Sequence, residues 1–316
     1  MTSEPRLKRI LAVRSDRMGD LLMTLPALHA IRQRFPQAEI TLLLQNGLEP
    51  LLEGHPDVDR VVSWRQSEGT GWLSSLRWAG RLRPFRFDLA VIFNPTRLFH
   101  VACFLAGIPQ RIGYGRKFGF LLTKTIPDSK AVRKRHEVEY NLELCRLLGT
   151  DDSPPVLHLP EHPEAGRRAE HLFASRGIPL DKAPVAIHPW TSNPAKSWPV
   201  SDFQTLVGLL VRANQTVIII GVPESPSLTK GWEEGAFNLS GQIPLGLLPP
   251  VLRRCRLLIT NDSGPAHVAA GVGTPSIIVA PQEHAAVLER WRPWGTHKIL
   301  LSPTPEMVFQ TAEGMT

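Results

Sequence analysis

Short runs of apolar residues alternate along the chain with stretches in which apolar residues recur every three or four positions. In the first half, the runs typical of buried strands are residues 7–14, 39–45 and 88–93. Helical spacing is found over residues 20–34, 72–82 and 98–106. This alternation predicts βαβ units, in which helices cover a parallel sheet.

A proline-rich segment, residues 149–163, separates this pattern from a second one of the same kind. In the second half, strand patterns occupy residues 185–188, 216–221, 257–260 and 276–280, and helix patterns occupy residues 202–213, 245–254 and 266–270. We therefore expect an α/β protein with two Rossmann-like domains, residues 1–155 and 156–316, whose mainly parallel sheets face a central cleft. Ligands of such sheets bind at the carboxyl ends of the strands.

Composition narrows the class of protein. Hydrophobic residues make up 42% and charged residues 21% of the 316 residues, which excludes a disordered or collagen-like chain. No run approaches the ~20 apolar residues of a membrane span, and the first residues lack the apolar core of a signal peptide. Three widely spaced cysteines indicate reduced thiols. The expected location is the cytoplasm.

The excess positive charge lies in the first half. Residues 1–150 carry 23 Lys and Arg against 14 Asp and Glu, whereas residues 151–316 carry 13 against 15. This asymmetry predicts either an anionic partner for the first half or a solvated basic surface without a partner, and charge alone does not decide between them. No nucleic-acid-binding motif is present.

Several familiar motifs are absent or misleading. The sequence has no P-loop and no GxGxxG after a strand, and the nearest string, residues 113–115, falls in an expected basic loop. Asp57 and Asp59 imitate a metal-binding DxD pair, but their position after Pro56 favours a surface turn. The histidines form no HExxH pair, and the HxxxH pair of His158 and His162 falls in the proline-rich segment, so no metal site is expected.

The loop after the first strand, residues 15–20, contains Gly19, which permits close approach of a ligand, and Asp20 at the start of a helix. Asp20 has two interpretations here, a functional carboxylate and a helix N-cap, and the loop alone favours the cap.

Two loops of the second half suit an anionic ligand. Residues 188–199 follow a strand and carry one cation, Lys196. Residues 260–267 follow another strand, and Pro265 suits the first turn of a helix. The amides of Ser263 and Gly264 at that helix terminus are typical of a phosphate site, although an ordinary capped helix would have the same pattern.

Together these motifs resemble glycosyltransferase family 9, the heptosyltransferases of lipopolysaccharide synthesis. The similarity extends in order along nearly the whole chain, through RSDRMGDLLMTLPAL, RIGYGRKFGF, EVEYNLELCRLLG, the HP…KxWP stretch, GVPES, NDSGPAHVAAGVGTP and WRPWG. The resemblance implies the GT-B fold, an acceptor domain followed by a nucleotide-sugar domain, and no metal.

The resemblance also implies roles for individual residues. Asp20 matches the proposed catalytic base, with Asp16 as the alternative. The residues that match the donor site are Lys196, Glu224, Asp262, Ser263, Gly264 and His267. The basic segment that includes Arg111, Arg116 and Lys117 is expected to bind an anionic, membrane-anchored glycolipid acceptor.

The implied activity is inverting transfer of a sugar, expected to be heptose, from an ADP-activated donor to a lipopolysaccharide core or lipid A-type acceptor, at the inner face of the cytoplasmic membrane. Pro281-Gln282-Glu283 and His188-Pro189-Trp190 depart from the family's Gly-Pro-Thr and His-Pro-Gly. These departures leave three alternatives open: a GT-B transferase with another nucleotide-sugar, an epimerase of similar architecture, and a sugar-nucleotide-binding protein without activity.

Overall fold

The structure is a computed structural model that describes residues 7–128, 135–151, 157–179, 181–191, 193–223, 231–232 and 234–315. The chain divides into two compact units, Met1–Val156 and Leu157–Thr316. Each unit contains one six-stranded parallel sheet.

The strands of the first unit are β1 (Arg9–Arg14), β2 (Glu39–Gln45), β3 (Arg60–Trp64), β4 (Leu89–Ile92), β5 (Gln110–Tyr114) and β6 (Lys124–Ile126). They pair in the order β3-β2-β1-β4-β5-β6. Its helices are α1 (Met18–Leu22), α2 (Leu25–Arg34), α3 (Trp72–Leu82), α4 (Arg97–Leu105) and α5 (Glu137–Cys145). Ala12 of the central strand β1 pairs with Leu42 on one side and Val91 on the other.

The second unit repeats this topology. Its strands are β7 (Val185–His188), β8 (Val217–Ile219), β9 (Phe237–Asn238), β10 (Leu257–Asn261), β11 (Ser276–Ala280) and β12 (His297–Leu301), paired as β12-β11-β10-β7-β8-β9. Its helices are α6 (Pro163–Ser175), α7 (Val200–Arg212), α8 (Leu248–Arg253), α9 (Gly264–Val272), α10 (Ala285–Trp291) and α11 (Pro305–Glu313). The chain therefore has the predicted pair of Rossmann-like sheets.

In both units the strand order reverses beside the first strand, between β1 and β4 and between β7 and β10. Ligands of open α/β sheets bind at such switch points, outside the carboxyl ends of the strands. The topology therefore places the loops after β1, β7 and β10 where a ligand site is expected.

The core of the first unit lies between the sheet and its helices. Trp78 on α3 and Phe99 on α4 make an edge-to-face contact with ring centroids 5.6 Å apart, and both are buried against Leu11 and Val13 of β1. Burial of a side chain of this size contributes about 1.5–3 kcal/mol. The rigid β1 that results ends at Arg14, where the candidate site begins.

The helix predicted over residues 20–34 is in fact two helices, α1 and α2. Pro26 supplies no N–H for the carbonyl of Leu22, and its ring clashes with a continuous helix there. The Thr24 hydroxyl donates to the Asp20 carbonyl at 2.9 Å across the break.

The prediction of a loop at residues 113–115 is also wrong, because Gly113 and Tyr114 belong to β5. A Cβ at Gly113 would lie 3.2 Å from the Ile92 carbonyl oxygen and 3.0 Å from Leu122 Cδ1. This glycine therefore allows close packing within the sheet.

Asp57 and Asp59 hold the turn before β3. Asp57 lies in that turn as expected but is buried, not exposed, with its carboxylate 3.1 Å from His29 Nδ1. Asp59 accepts from the amide of Ile40 at 2.7 Å. Within the part of the chain that the structure describes, no group of three or more His, Cys, Asp or Glu side chains is arranged to hold a metal ion.

Candidate active site

A buried arginine organises the carboxyl end of β1. Arg14 is 1% exposed, and its Nη2 donates to Asp20 Oδ1 at 2.7 Å. Its Nε lies 2.8 Å from Asp16 Oδ1, and its Nη1 donates to Glu137 Oε1 and Asn141 Oδ1, both at 3.3 Å. One guanidinium thus holds three carboxylates and one amide, and we refer to these five residues as the Arg14 cluster.

Burial and neighbouring charges within the Arg14 cluster shift the pKa values of two of its groups, Arg14 and Asp16. Burial lowers the pKa of Arg14, but the charges of Asp16, Glu137 and Asp20 outweigh burial and raise it above its usual range. Burial raises the pKa of Asp16 to about 6; the Arg14 charge opposes this rise and the Asp20 charge adds to it. The two aspartates therefore share one cation at the end of β1.

The structure corrects the interpretation of Asp20 as a helix cap. The N-cap of α1 is Arg17, without a side-chain cap, and Asp20 lies within the first turn. Its carboxylate side chain is 16% exposed and bonds to Arg14 instead of a backbone amide of α1. Asp20 therefore does not cap α1, and its role as catalytic base stays a prediction.

Two hydrogen bonds join the loops that follow β1 and β4, beside the Arg14 cluster. Asn94, after β4, accepts from the Ser15 amide at 3.3 Å and donates to the Ser15 hydroxyl at 3.0 Å. These bonds hold the loop that leads to Asp20.

The basic residues expected to bind the acceptor lie apart from the Arg14 cluster in their contacts. Arg111 donates to the carbonyls of Ile108 and Leu121, the latter at 2.7 Å. Arg116 pairs with Asp128 at 2.8 Å, and Lys117 is exposed. Acceptor binding by these three residues stays a prediction, and the Arg111 contacts with the backbone favour a structural role for it.

In the second unit, a carboxylate after β10 joins a lysine and a histidine side chain. Asp262 Oδ2 accepts from Lys196 Nζ at 2.6 Å and from His284 Nε2 at 2.8 Å. Burial raises the pKa of Asp262, but the hydrogen bonds from Lys196 and His284 outweigh it and hold that pKa below its usual value. Asp262 is therefore ionised and fixes the Lys196 ammonium near the amino end of α9.

The amino end of α9 has no side-chain cap. Ser263 is the N-cap residue, but its hydroxyl lies 2.9 Å from Thr260 Oγ1 and 3.3 Å from His188 Nδ1. Burial lowers the pKa of His188 to about 4, so its ring is neutral at pH 7. The positive end of the α9 dipole and the Lys196 ammonium suit an anionic group here.

His267, on the first turns of α9, is buried and has no hydrogen-bond partner for Nδ1 among the described residues. Burial lowers its pKa to about 4, although the Asp262 charge opposes that shift. A neutral ring with an unpaired buried nitrogen is expected to bond to a ligand.

The loop after β8 is shaped by Gly221, which has φ +103°. A Cβ there would lie 2.5 Å from His188 Cδ2 and 2.6 Å from Trp190 Cδ1, so only glycine fits against these two side chains. Trp190 stands where the family's His-Pro-Gly has glycine. Glu224, expected from the resemblance to bind the ribose, lies outside the described residues.

Sequence reasoning did not identify His284, Arg14, Glu137 or Asn141. His284 comes directly after Pro281-Gln282-Glu283, where the sequence differs from the family's pattern. That difference was the signal that could have identified His284. Glu137 and Asn141 are 123 and 127 residues from Arg14, and no local pattern joins them.

Replacement of Asp16 by Asn is expected to change how stability depends on pH. An acid whose pKa rises on folding binds its proton more tightly in the native state, so its contribution to stability falls as pH rises from about 4 to about 6. The wild type should lose stability relative to Asp16→Asn across that window. Urea unfolding at several pH values measures the difference. Asp181→Asn, at an exposed position, is the control, and parallel curves for wild type and Asp16→Asn would contradict the prediction.

Comparisons with known proteins agree with these observations. The model for glycosyltransferase family 9 (heptosyltransferase) matches residues 76–309. Lipopolysaccharide heptosyltransferase 2 of Escherichia coli (strain K12) is 24% identical over 285 residues, covering 85% of this chain and 81% of that protein. Lipopolysaccharide heptosyltransferase 3 of the same strain is 24% identical over 292 residues, covering 87% and 82%.

Solved structures share the fold over nearly the whole chain. A glycosyl transferase of family 9 from Veillonella parvula DSM 2008 has a TM-score of 0.87 at 20% identity, covering 99% of this chain and 98% of that chain. The E. coli ADP-heptose lps heptosyltransferase II has a TM-score of 0.81 at 20% identity, covering 97% and 98%. The predicted GT-B fold is confirmed. Because the family model matches most of the sequence, the chain belongs to glycosyltransferase family 9 and is a glycosyltransferase.

Proposed function

We propose that the chain transfers heptose from an ADP-activated donor to a lipopolysaccharide core or lipid A-type acceptor, with inversion at the anomeric carbon. The relatives named as lipopolysaccharide heptosyltransferases support the sugar and the acceptor. The observation that carries the donor assignment is the Lys196–Asp262–His284 cluster at the amino end of α9. Residues 157–316 thus bind the donor, and the first unit binds the acceptor.

In the proposed reaction, Asp20 is the general base. Arg14 occupies Asp20 Oδ1, so Oδ2 takes the proton of the acceptor hydroxyl. The hydroxyl oxygen forms a bond to the anomeric carbon while the bond from that carbon to the diphosphate oxygen breaks. One displacement of this kind inverts the anomeric configuration.

The departing ADP gains negative charge as the bond breaks. The Lys196 ammonium and the amides of Ser263 and Gly264 stabilise that charge where it develops. His267 Nδ1, buried and without a partner among the described residues, bonds to the donor. Glu224 holds the ribose, as the resemblance implies. The mechanism uses no divalent metal.

The acceptor is an anionic glycolipid, and Arg116 and Lys117 contact its anionic groups, with Arg111 beside them. The proposed location is the cytoplasm, in peripheral contact with the inner face of the membrane. Among the described residues, no helix has the length and apolar character needed to cross a bilayer.

The test is turnover of ADP-heptose by the purified chain with a lipid A-core acceptor. ADP release should require the acceptor and should persist in excess EDTA. Release without acceptor, or a requirement for Mg²⁺ or Mn²⁺, would contradict the mechanism. Turnover of a UDP-sugar in place of ADP-heptose would favour the alternative donor.

Replacement of Lys196 by Met is expected to weaken ADP binding about 10- to 100-fold, because one charge-assisted hydrogen bond contributes about 1.5–3 kcal/mol. Isothermal titration with ADP measures the loss. Lys182→Met, at an exposed position in the same unit, is the matched control. Equal ADP affinity in both variants would exclude Lys196 from the donor site.

A further inference from the structure

One face of α3 is apolar and solvent-exposed at its amino end. Trp72 is 60% and Leu73 61% exposed, and Leu76 is also exposed, while Trp78 and Leu82 of the same helix are buried in the core. The outward residues follow helical spacing, so they form a continuous strip. Exposed apolar patches of this kind mark interaction sites.

A second apolar group lies on the loop after β5. Phe120 is 79% and Phe118 42% exposed, with their ring centroids 5.5 Å apart. The Arg97 guanidinium, at the start of α4, lies 5.6 Å from the centroid of Phe118. Helix α4 packs against α3 and also contacts the segment that contains Phe120, so α4 connects the two apolar groups.

Topology places both groups at the edge of the sheet that carries Asp20. The strands are parallel, so the loops that leave their carboxyl ends all lie at one edge. Helices α3 and α4 and the Phe118–Phe120 segment begin shortly after β3, β4 and β5, respectively. We refer to Trp72, Leu73, Leu76, Phe118 and Phe120 as the apolar rim.

The charged residues around the apolar rim are mostly basic. Residues 69–87 contain four arginines, Arg77, Arg81, Arg83 and Arg86, and neither Asp nor Glu. All four are exposed, and Arg81 pairs with Glu68. Exposed Lys117 lies next to Phe118. Trp, Leu and Phe flanked by cationic side chains are typical of a surface that lies on an anionic bilayer.

We propose that the apolar rim and the arginines beside it dock the first unit onto an anionic lipid bilayer, which brings the loops at the carboxyl ends of its strands close to the membrane surface. The docking surface is inferred from exposed apolar side chains and the arginines beside them. Only its purpose, access to a membrane-held glycolipid, rests on the proposed function. The apolar rim enters the headgroup region, and the guanidinium groups bind lipid phosphates. Trp72 and Leu73 lie outside the part of the chain that the family model matches, which begins at residue 76.

The test is co-sedimentation of the full chain with phosphatidylcholine vesicles that contain or lack phosphatidylglycerol, without donor or acceptor. We expect binding only with phosphatidylglycerol, weaker at higher salt. The triple variant Trp72→Gln, Leu73→Gln, Leu76→Gln should partition at least about tenfold more weakly, because its apolar surface is lost. Each of Arg77→Gln and Arg83→Gln should weaken partitioning about fivefold.

Matched controls lie on the second unit: Met307→Gln, at an exposed apolar residue, and Arg168→Gln, at an exposed arginine, should bind as the wild type does. Failure to bind phosphatidylglycerol vesicles, or equal binding by the triple variant, would overturn the proposal. So would a concentration-dependent dimer that the triple variant abolishes, because the apolar rim would then cover a second copy. Because vesicle binding is measured without turnover, a failure of the docking proposal can be distinguished from a failure of the proposed reaction.

Discussion

Replacement of Asp20 by Asn is expected to lower turnover by about 10²- to 10⁴-fold while the fold persists. The Asn side chain retains an oxygen that accepts from Arg14 Nη2, now at 2.7 Å from Asp20 Oδ1, but it cannot take the proton of the acceptor hydroxyl. ADP affinity should not change, because Lys196 and Asp262 belong to the second unit. Steady-state turnover, melting temperature and ADP titration of the variant check these three statements.

Asp16→Asn is the control for Asp20→Asn, because both aspartates contact Arg14. If Asp20 is the base, Asp16→Asn should retain most of the turnover. Near-normal turnover of Asp20→Asn together with a collapse in Asp16→Asn would transfer the role of base to Asp16.

The central strands were predictable because burial on both faces produces continuous apolar runs. Residues 39–45, 185–188 and 276–280 were predicted with the bounds observed for β2, β7 and β11. The outermost strands of the sheets were harder to predict. The edge strand β6 has only three residues, two of them exposed, so it lacks an apolar run.

The loops of the candidate site were predictable for a different reason. Polar loops after predicted strands lie where open α/β sheets bind ligands, and this reasoning located residues 15–20, 188–199 and 260–267. The partners within each site were not predictable, since they come from distant parts of the chain. Lys196 and Asp262 are 66 residues apart, and His284 lies 22 residues beyond Asp262.

Arg14 shows this limit most clearly. It ends the predicted strand of residues 7–14, and no local pattern there indicates that its side chain is buried among Asp16, Asp20 and Glu137. A charge is tolerated there because each side of the guanidinium has a polar partner. Only the tertiary structure brings α5 to β1 and so supplies two of the partners, Glu137 and Asn141.

Replacement of Arg14 by Met is therefore expected to lower the free energy of unfolding by about 3–5 kcal/mol, because buried carboxylates lose their counter-charge. Urea unfolding at neutral pH measures the loss. Arg60→Met is the matched control: its ion pair with Glu39 is exposed on both sides, so its loss should cost no more than about 1 kcal/mol. Arg14→Lys, which keeps the charge but not the forked donors, should fall between wild type and Arg14→Met.

The deficit of Arg14→Met should shrink as pH falls. Without the guanidinium, the pKa of Asp16 rises further above its value in the unfolded chain, since the Arg14 charge no longer opposes desolvation. The native variant then binds more protons than its unfolded form, so acidification stabilises it relative to the wild type. The relative gain should begin above pH 6, because the pKa of Asp16 is about 6 even beside Arg14. A deficit below about 1 kcal/mol, or one that does not change with pH, would show that the cluster does not depend on this cation.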